Sequence, residues 1–370
     1  MRSLLTAAAI SLAFALFLTP VFLRLFKRWG WAQPIRVASA NVLAPDHEIK
    51  RGTPTMGGTI FIAGTVLGYL VGCWAGGNTP TPSGLLVIWM MLAFGAVGFI
   101  DDYLKVKHDH SDGLSGWRKI VGQVLAIIPF GIVALNFPND YGQTPGTHFI
   151  SLFRDIPVLS LFALGPVLGW LLYMAWLALL GTGFSNSVNL TDGLDGLAAG
   201  AGVFVVGAYS LIAFWQFNQS CMRLVVEPGL EQACYNTRDP LDLAIVSAAL
   251  VGGLVGFLWW NAPKAHVFMG DVGSMAIGGV VTAMAVLTRT ELLGILIAGL
   301  FVLSSASVIL QRLYFKATRG KRLFLMSPLH HHFEMRGWAE VTIVARFWII
   351  AGLLSVSGIG LFYVEWLSRT

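Results

Sequence analysis

Six carboxylates in this 370-residue chain sit where a charged substrate could be handled. Asp101 and Asp102 are adjacent in FGAVGFIDDYLKVK, at the end of an apolar run. A helix C-terminus disfavours negative charge, so the pair needs a counter-charge from Lys105, Lys107 or a divalent metal. Asp192 and Asp195 belong to NSVNLTDGLDGL, which also holds Asn186, Asn189, Gly193 and Leu194 and has no Lys or Arg. Thr191 or Asp192 could cap a helix, with Asp195 three residues on as in a capping box. The remaining Asn, Asp and Gly exceed what a turn needs and suit a sugar or a nucleobase. Asp271, in FMGDVGS after Phe268, could be an N-cap or a ligand of Mg²⁺, which takes one or two carboxylates and fills its shell with phosphate and water oxygens. Glu334 closes SPLHHHFE, which follows a basic run from Arg312 to Arg322. Consecutive histidines do not share one helix face, so a zinc site is disfavoured, and the imidazoles of His330 and His331 suit phosphate binding or proton transfer. Lys50 and Thr55 lie in KRGTPTMGG, where Pro54 could start a helix and the ammonium and hydroxyl groups could hold an anion.

The elements that must position these groups follow from composition. With 56% hydrophobic and 12% charged residues, the chain is neither a soluble globular domain nor disordered. Apolar runs of about 20 residues predict ten membrane-spanning helices, centred near Phe14, Leu67, Leu92, Ile128, Leu171, Val205, Leu250, Val280, Val302 and Leu353. The expected fold is therefore an all-α polytopic membrane protein of one domain, with 42 glycines allowing close helix packing. Eighteen of the 24 Lys and Arg fall in one set of alternate loops. By the positive-inside rule those loops are cytoplasmic and both termini extracytoplasmic. The motifs above then converge on one cytoplasmic face, built from 24–54, 101–119, 182–193, 260–272 and 312–340. The net charge of +5 is thus topological, and no basic, aromatic-interleaved domain suggests nucleic acid. The first run precedes its main basic flank and lacks a small-residue cleavage pattern, which reads as a retained span. Cys221 and Cys234 share an extracytoplasmic loop that permits a disulfide, and no cysteine falls in a cytoplasmic loop. Acids, cations and a polar ligand site on one membrane face describe phosphoryl transfer.

Taken in order, GTPTMGG, the Asp101–Asp102 pair, NLTDGLDGL, FMGDVGS and PLHHHFE resemble the phospho-N-acetylmuramoyl-pentapeptide-transferase family, within the polyprenyl-phosphate sugar-phosphate transferases. The resemblance extends across most of the chain. It implies a ten-helix, often dimeric enzyme of the bacterial inner membrane, acting in peptidoglycan synthesis and hence in cell-wall growth, shape and division. With Mg²⁺ it would move phospho-MurNAc-pentapeptide from UDP-MurNAc-pentapeptide to undecaprenyl phosphate, giving lipid I and UMP. Carried over by motif, Asp271 would bind Mg²⁺, and Asp101 and Asp102 would position or deprotonate the lipid phosphate. Lys50, Lys105, Lys119, His330 and His331 would hold phosphates, with Gln311 nearby. Asn186, Asp192, Gly193, Leu194, Asp195 and Phe268 would line the nucleotide pocket, Phe268 stacking on uracil.

Direct attack by the lipid phosphate is expected, since a monophosphate with a second pKa of about 6 is mostly dianionic at pH 7. A covalent phosphosugar-aspartate is the open alternative. A UDP-N-acetylglucosamine-1-phosphate transferase would share the acidic motifs but lack PLHHHFE. An ion-coupled transporter would place ionisable groups near the midplane rather than at span ends.

Overall fold

A run of apolar residues in lipid must satisfy every backbone polar group internally, so each folds as a helix. The computed structural model describes residues 1–32, 52–108, 113–222 and 233–370. In chain order its helices are α1 (Arg2–Arg28), α2 (Gly58–Gly76), α3 (Pro82–His108), α4 (Gly116–Asn136), α5 (Pro166–Thr191), α6 (Leu197–Asn218), α7 (Pro240–Asn261), α8 (Gly270–Leu287), α9 (Glu291–Ile297), α10 (Gly299–Ala317), α11 (Leu329–Glu334) and α12 (Glu340–Leu367). Among the described residues, ten of these are long and apolar enough to cross a bilayer, one for each predicted run; α9 and α11 are short additions. An antiparallel hairpin, β1 (Phe149–Ser151) and β2 (Asp155–Ser160), lies between α4 and α5 and was not expected from sequence.

The bundle is organised around α8, in which every residue from Val272 to Leu287 is buried. It packs against α2, α3, α5 and α6, while α7 lies between α1, α2 and α6. Small residues set these distances, as expected where lipid supplies no hydrophobic drive between helices. On α2, Gly64, Gly68 and Gly72 recur every four residues and face Ser11, Ala7 and Ser3 of α1. On α8, Gly278 meets the backbone of Ser185 and Gly279 the carbonyl of Met90. At the α3–α8 crossing, a Cβ on Gly98 would run into the backbone carbonyl of Asp271.

One end of the bundle gathers the C-termini of α3 and α5 with the N-termini of α2, α4, α6, α8 and α12. Three backbone hydrogen bonds fasten it. Phe268 N–H donates to the Pro54 carbonyl at 2.8 Å, and Gly57 N–H and Gly58 N–H donate to the Phe268 and Met269 carbonyls, each at 2.9 Å. Pro54 therefore belongs to a paired segment, and α2 starts only at Gly58. The opposite end is held by polar contacts of its own. Asp242 accepts hydrogen bonds from Tyr69 (2.8 Å) and from the Thr81 hydroxyl (2.7 Å), Arg289 pairs with Asp155 (3.0 Å), and Cys221 is disulfide-bonded to Cys234.

Candidate active site

Asp101 and Asp102 lie inside α3, which runs on to His108, so they do not close the helix as the sequence suggested. Both are buried, and the crossing at Gly98 brings them to Asp271. That residue is in the first turn of α8 rather than at its N-cap, a position the helix dipole favours for an acid. One carboxylate oxygen from each of the three lies within 4.8 Å of the others.

Two ammonium groups supply the counter-charge. Lys105 Nζ is 2.6 Å from Asp101, 3.4 Å from Asp102 and 3.1 Å from Asp271, while Lys119 Nζ, on α4, is 2.9 Å from Asp101 and 2.7 Å from Asp271. Lys107 is not part of this cluster; it is exposed, 6.0 Å from the centre of the Tyr103 ring. Three carboxylates against two ammoniums leave one formal negative charge. With only hard oxygen donors in the triad, the site fits Mg²⁺ better than a softer metal.

Backbone and amide donors orient the acids. Leu114 N–H donates to Asp101 (2.5 Å), Val272 N–H to Asp102 (3.2 Å), and Asn189 Nδ2 to Asp271 (2.8 Å) and to the Ser274 hydroxyl (3.0 Å). Beside Asp102, Gly270 has φ +74°, and a side chain there would strike the Asp102 carboxylate. The Thr55 hydroxyl borders the same glycine and is buried, with no hydrogen-bond partner among the described residues.

The second region is the turn between α5 and α6. Its capping reading does not hold: Asp192 ends α5, Thr191 donates back to the Ser187 carbonyl (2.8 Å), and α6 starts after Gly196 in the left-handed conformation. Burial, with Asp271 and Asp102 close by, holds the Asp192 carboxyl well above the usual range. Gly193 leaves room for the rings of His330 and His331 on α11. His330 is fully buried, and neither ring nitrogen has a partner among the described residues. Burial, and His331 beside it, lower its pKa to about 3, so at neutral pH it is an uncharged donor and acceptor. His331 Nδ1 lies 2.9 Å from Glu334, while His332 Nδ1 accepts from Leu325 N–H at 3.1 Å.

Four other expected site residues make contacts inside the protein. Asp195 is buried and accepts Ala265 N–H (3.1 Å), its own N–H going to Glu340 (2.9 Å), which ties three loops together. Leu194 is buried in the core. Asn186 Nδ2 donates to Gln123 (3.3 Å) and to the Thr182 carbonyl (2.8 Å), one helical turn deeper than Asn189. Gln311 Oε1 accepts Leu323 N–H and Phe324 N–H, fixing the chain after α10. Phe268 is half-buried and contributes the backbone pairing described above. Lys50 lies outside the described residues.

The sequence as a whole also matches known proteins. A family model described as glycosyl transferase family 4 matches residues 84–289, and a phospho-N-acetylmuramoyl-pentapeptide-transferase signature matches residues 50–62. Curated relatives of that name are 54% identical in Clavibacter michiganensis subsp. michiganensis (all of both chains), 50% in Arthrobacter sp. (99% of each) and 47% in Corynebacterium jeikeium (100% of this chain, 99% of the relative). The chain belongs to the phospho-N-acetylmuramoyl-pentapeptide-transferase family. It is an enzyme of the transferase class.

Within this family frame, sequence reasoning missed the groups that aim the acids. Ser274 stands three residues after Asp271, the spacing that puts both on one helix face, so its signal was present. Gly98 stands in the same relation to Asp101. The N–H groups of Leu114 and Val272 had no side-chain signal at all.

Proposed function

We propose that this family member transfers phospho-MurNAc-pentapeptide from UDP-MurNAc-pentapeptide to undecaprenyl phosphate, releasing UMP and forming lipid I for peptidoglycan synthesis. The observation that carries this reading is the Asp101–Asp102–Asp271 cluster laced by Lys105 and Lys119 at one end of a membrane-spanning bundle. Asp271 would hold Mg²⁺, with oxygens from Asp101 and Asp102 beside it, and the bound ion would offset charge on the pyrophosphate.

A phosphate attacking a pyrophosphate must overcome repulsion between anions, so cations come first. Lys105 and Lys119 sit between the carboxylates and are placed to turn toward incoming phosphates, with Lys50 as a further cation and Thr55 as a donor. A lipid-phosphate oxygen then bonds to the β-phosphorus of the donor. The bond from that phosphorus to the bridging oxygen breaks, and the oxygen leaves with UMP. Asp101 orients the attacking phosphate and takes any residual proton. His330, neutral and without a partner, donates a hydrogen bond to a phosphate oxygen, and His331 lies beside it. Asn186, Asp192, Gly193, Leu194, Asp195 and Phe268 shape the nucleotide side, several of them by holding the loops.

The positive-inside distribution supports a single transmembrane domain with both termini extracytoplasmic and the site on the cytoplasmic face of the bacterial inner membrane. Mg²⁺ dependence and a homodimer complete the reading. The test is UMP release by purified protein given undecaprenyl phosphate, Mg²⁺ and either UDP-MurNAc-pentapeptide or UDP-N-acetylglucosamine. Release with the first donor alone, abolished by EDTA, is the expected result; release with the second alone would move the protein to the N-acetylglucosamine branch. Labelled phosphosugar trapped on the protein without acceptor would replace direct attack by a covalent route.

A further inference from the structure

The first turns of α12 contribute nothing to the acid cluster, yet they touch both walls of the gap beside it. In EVTIVARFWIIA the buried residues Ile343, Val344, Phe347 and Ala351 recur at three- and four-residue steps, and Glu340 and Trp348 border the same face. One wall is the turn between α5 and α6. Glu340 Oε1 accepts the Asp195 N–H at 2.9 Å, and Trp348 Nε1 donates to the Gly196 carbonyl at 3.3 Å. Gly196 is the left-handed residue that lets α6 start, with φ +76°. In the first turn of α6, Gly200 lies against the Trp348 indole, and a side chain there would strike the ring.

The other wall, the histidine-bearing α11, hangs on the same helix. Phe333 meets Phe347 with ring centres 6.1 Å apart and Trp338 at 4.6 Å, and Arg346 lies 4.3 Å from the centre of the Trp338 ring. Between the walls, Gly193 comes so close to His330 that a Cβ would strike the imidazole. The width of such a gap is set by the element that holds both sides, and an error of about 1 Å there is enough to misplace a ligand.

We infer that Glu340 and Trp348 are positioning residues for the nucleotide donor, acting through the 192–196 turn, which they fix opposite His330; the inference rests on the donor reading above. The turn faces the nucleotide, which does not react, so loosening it removes binding shared by ground and transition states, raising the donor KM and sparing kcat. UMP release by the full chain in dodecylmaltoside is measured with UDP-MurNAc-pentapeptide and undecaprenyl phosphate varied in turn. Glu340→Ala, which loses a hydrogen bond to a charged group, raises the donor KM about tenfold, and Trp348→Phe, which loses a neutral one, about threefold. The acceptor KM and kcat stay within about twofold of the parent. Glu340→Gln keeps an oxygen for the Asp195 N–H and returns the donor KM to within about threefold. Partial unfolding would do the reverse, lowering kcat with the folded fraction and leaving both KM values alone. Hydrogen exchange supplies a readout that needs no substrate: the peptide covering 192–196 exchanges about tenfold faster in Glu340→Ala, while peptides of α8 do not change. An unchanged donor KM, an equal rise in the acceptor KM, or a Gln variant no better than Ala would overturn the inference. Unchanged exchange at the turn would overturn it too, even in a protein that releases no UMP, whereas a parent inactive with this donor overturns the functional reading instead.

Discussion

Asp271 is the residue on which both lysines and Asn189 converge. Asp271→Asn keeps the size of the side chain and can still meet Asn189, but it removes the charge. We expect UMP release to fall by at least about 10²-fold, the scale of losing one electrostatic group in a preorganised site, with the melting temperature little changed. Turnover within about threefold of the parent would remove Asp271 from the metal assignment. His330 makes a separate prediction, in stability. An unfolded His takes up its proton near pH 6.5, whereas burial and His331 hold His330 near 3. Between those values the unfolded state binds more protons, so this residue's contribution to stability is lost as pH falls from about 6.5 toward 3, by up to about 1.4 kcal/mol per unit. His330→Gln lacks that dependence; its melting temperature relative to the parent rises on acidification, and parallel curves would disprove the neutral buried state.

The helix crossings carry the next set of expectations. Gly98→Ala places a methyl against the Asp271 carbonyl and pushes α3 away from α8. Overpacking of this kind costs about 1–3 kcal/mol, and the shift separates Asp101 from Asp271. Gly95→Ala, whose Cβ would meet no atom closer than 3.2 Å, is the control on the same helix. UMP release should drop much further for Gly98→Ala, and equal activities would show that the crossing distance is not critical. Gln123 acts one layer below Lys119: it is fully buried, donates to Ser185 (3.0 Å) and accepts from Asn186. Gln123→Leu removes the ties to Ser185 and Asn186, leaving the Asn186 amide only its Thr182 carbonyl, and frees α4 to turn, so kcat should fall with donor KM little changed; a KM effect alone would place Gln123 in donor binding instead.

These crossings also show what the sequence could and could not reveal. The ten spans were legible because the bilayer demands about 20 apolar residues of each helix and nothing subtler. The break between α9 and α10 was not, since Ala298 and Gly299 interrupt the helix without interrupting hydropathy. The β1–β2 hairpin escaped because its strands have only three and six residues, too few to set up a clear alternation. Site residues announced themselves by charge in a chain only 12% charged, which singled out Asp101, Asp102 and Asp271. Whether Asp195 or Gln311 faces a ligand or a backbone amide depends on loop paths that periodicity does not encode.

At the scale of the molecule, the two ends of the bundle differ in kind. One gathers carboxylates and lysines into a single cluster, whereas the other distributes its charges among pairwise ties and a disulfide. The proposed orientation has a direct test, because Cys221 and Cys234 are bonded and Cys73 is buried, so an introduced cysteine is the accessible thiol. Ser115→Cys, at the acidic end, should react with a membrane-impermeant maleimide only in inverted vesicles, and Tyr141→Cys, at the other, only in right-side-out ones. The opposite pattern would reverse the topology.

The buried position of α8 has a consequence for biogenesis. This helix exposes almost nothing to lipid and starts with an acid, so it gains little by entering a membrane alone. The three helices it packs most closely against, α3, α5 and α2, precede it in the chain and leave the ribosome first. Synthesis from the N-terminus thus presents α8 with most of its socket, and the three clustered acids meet only when that helix drops into place.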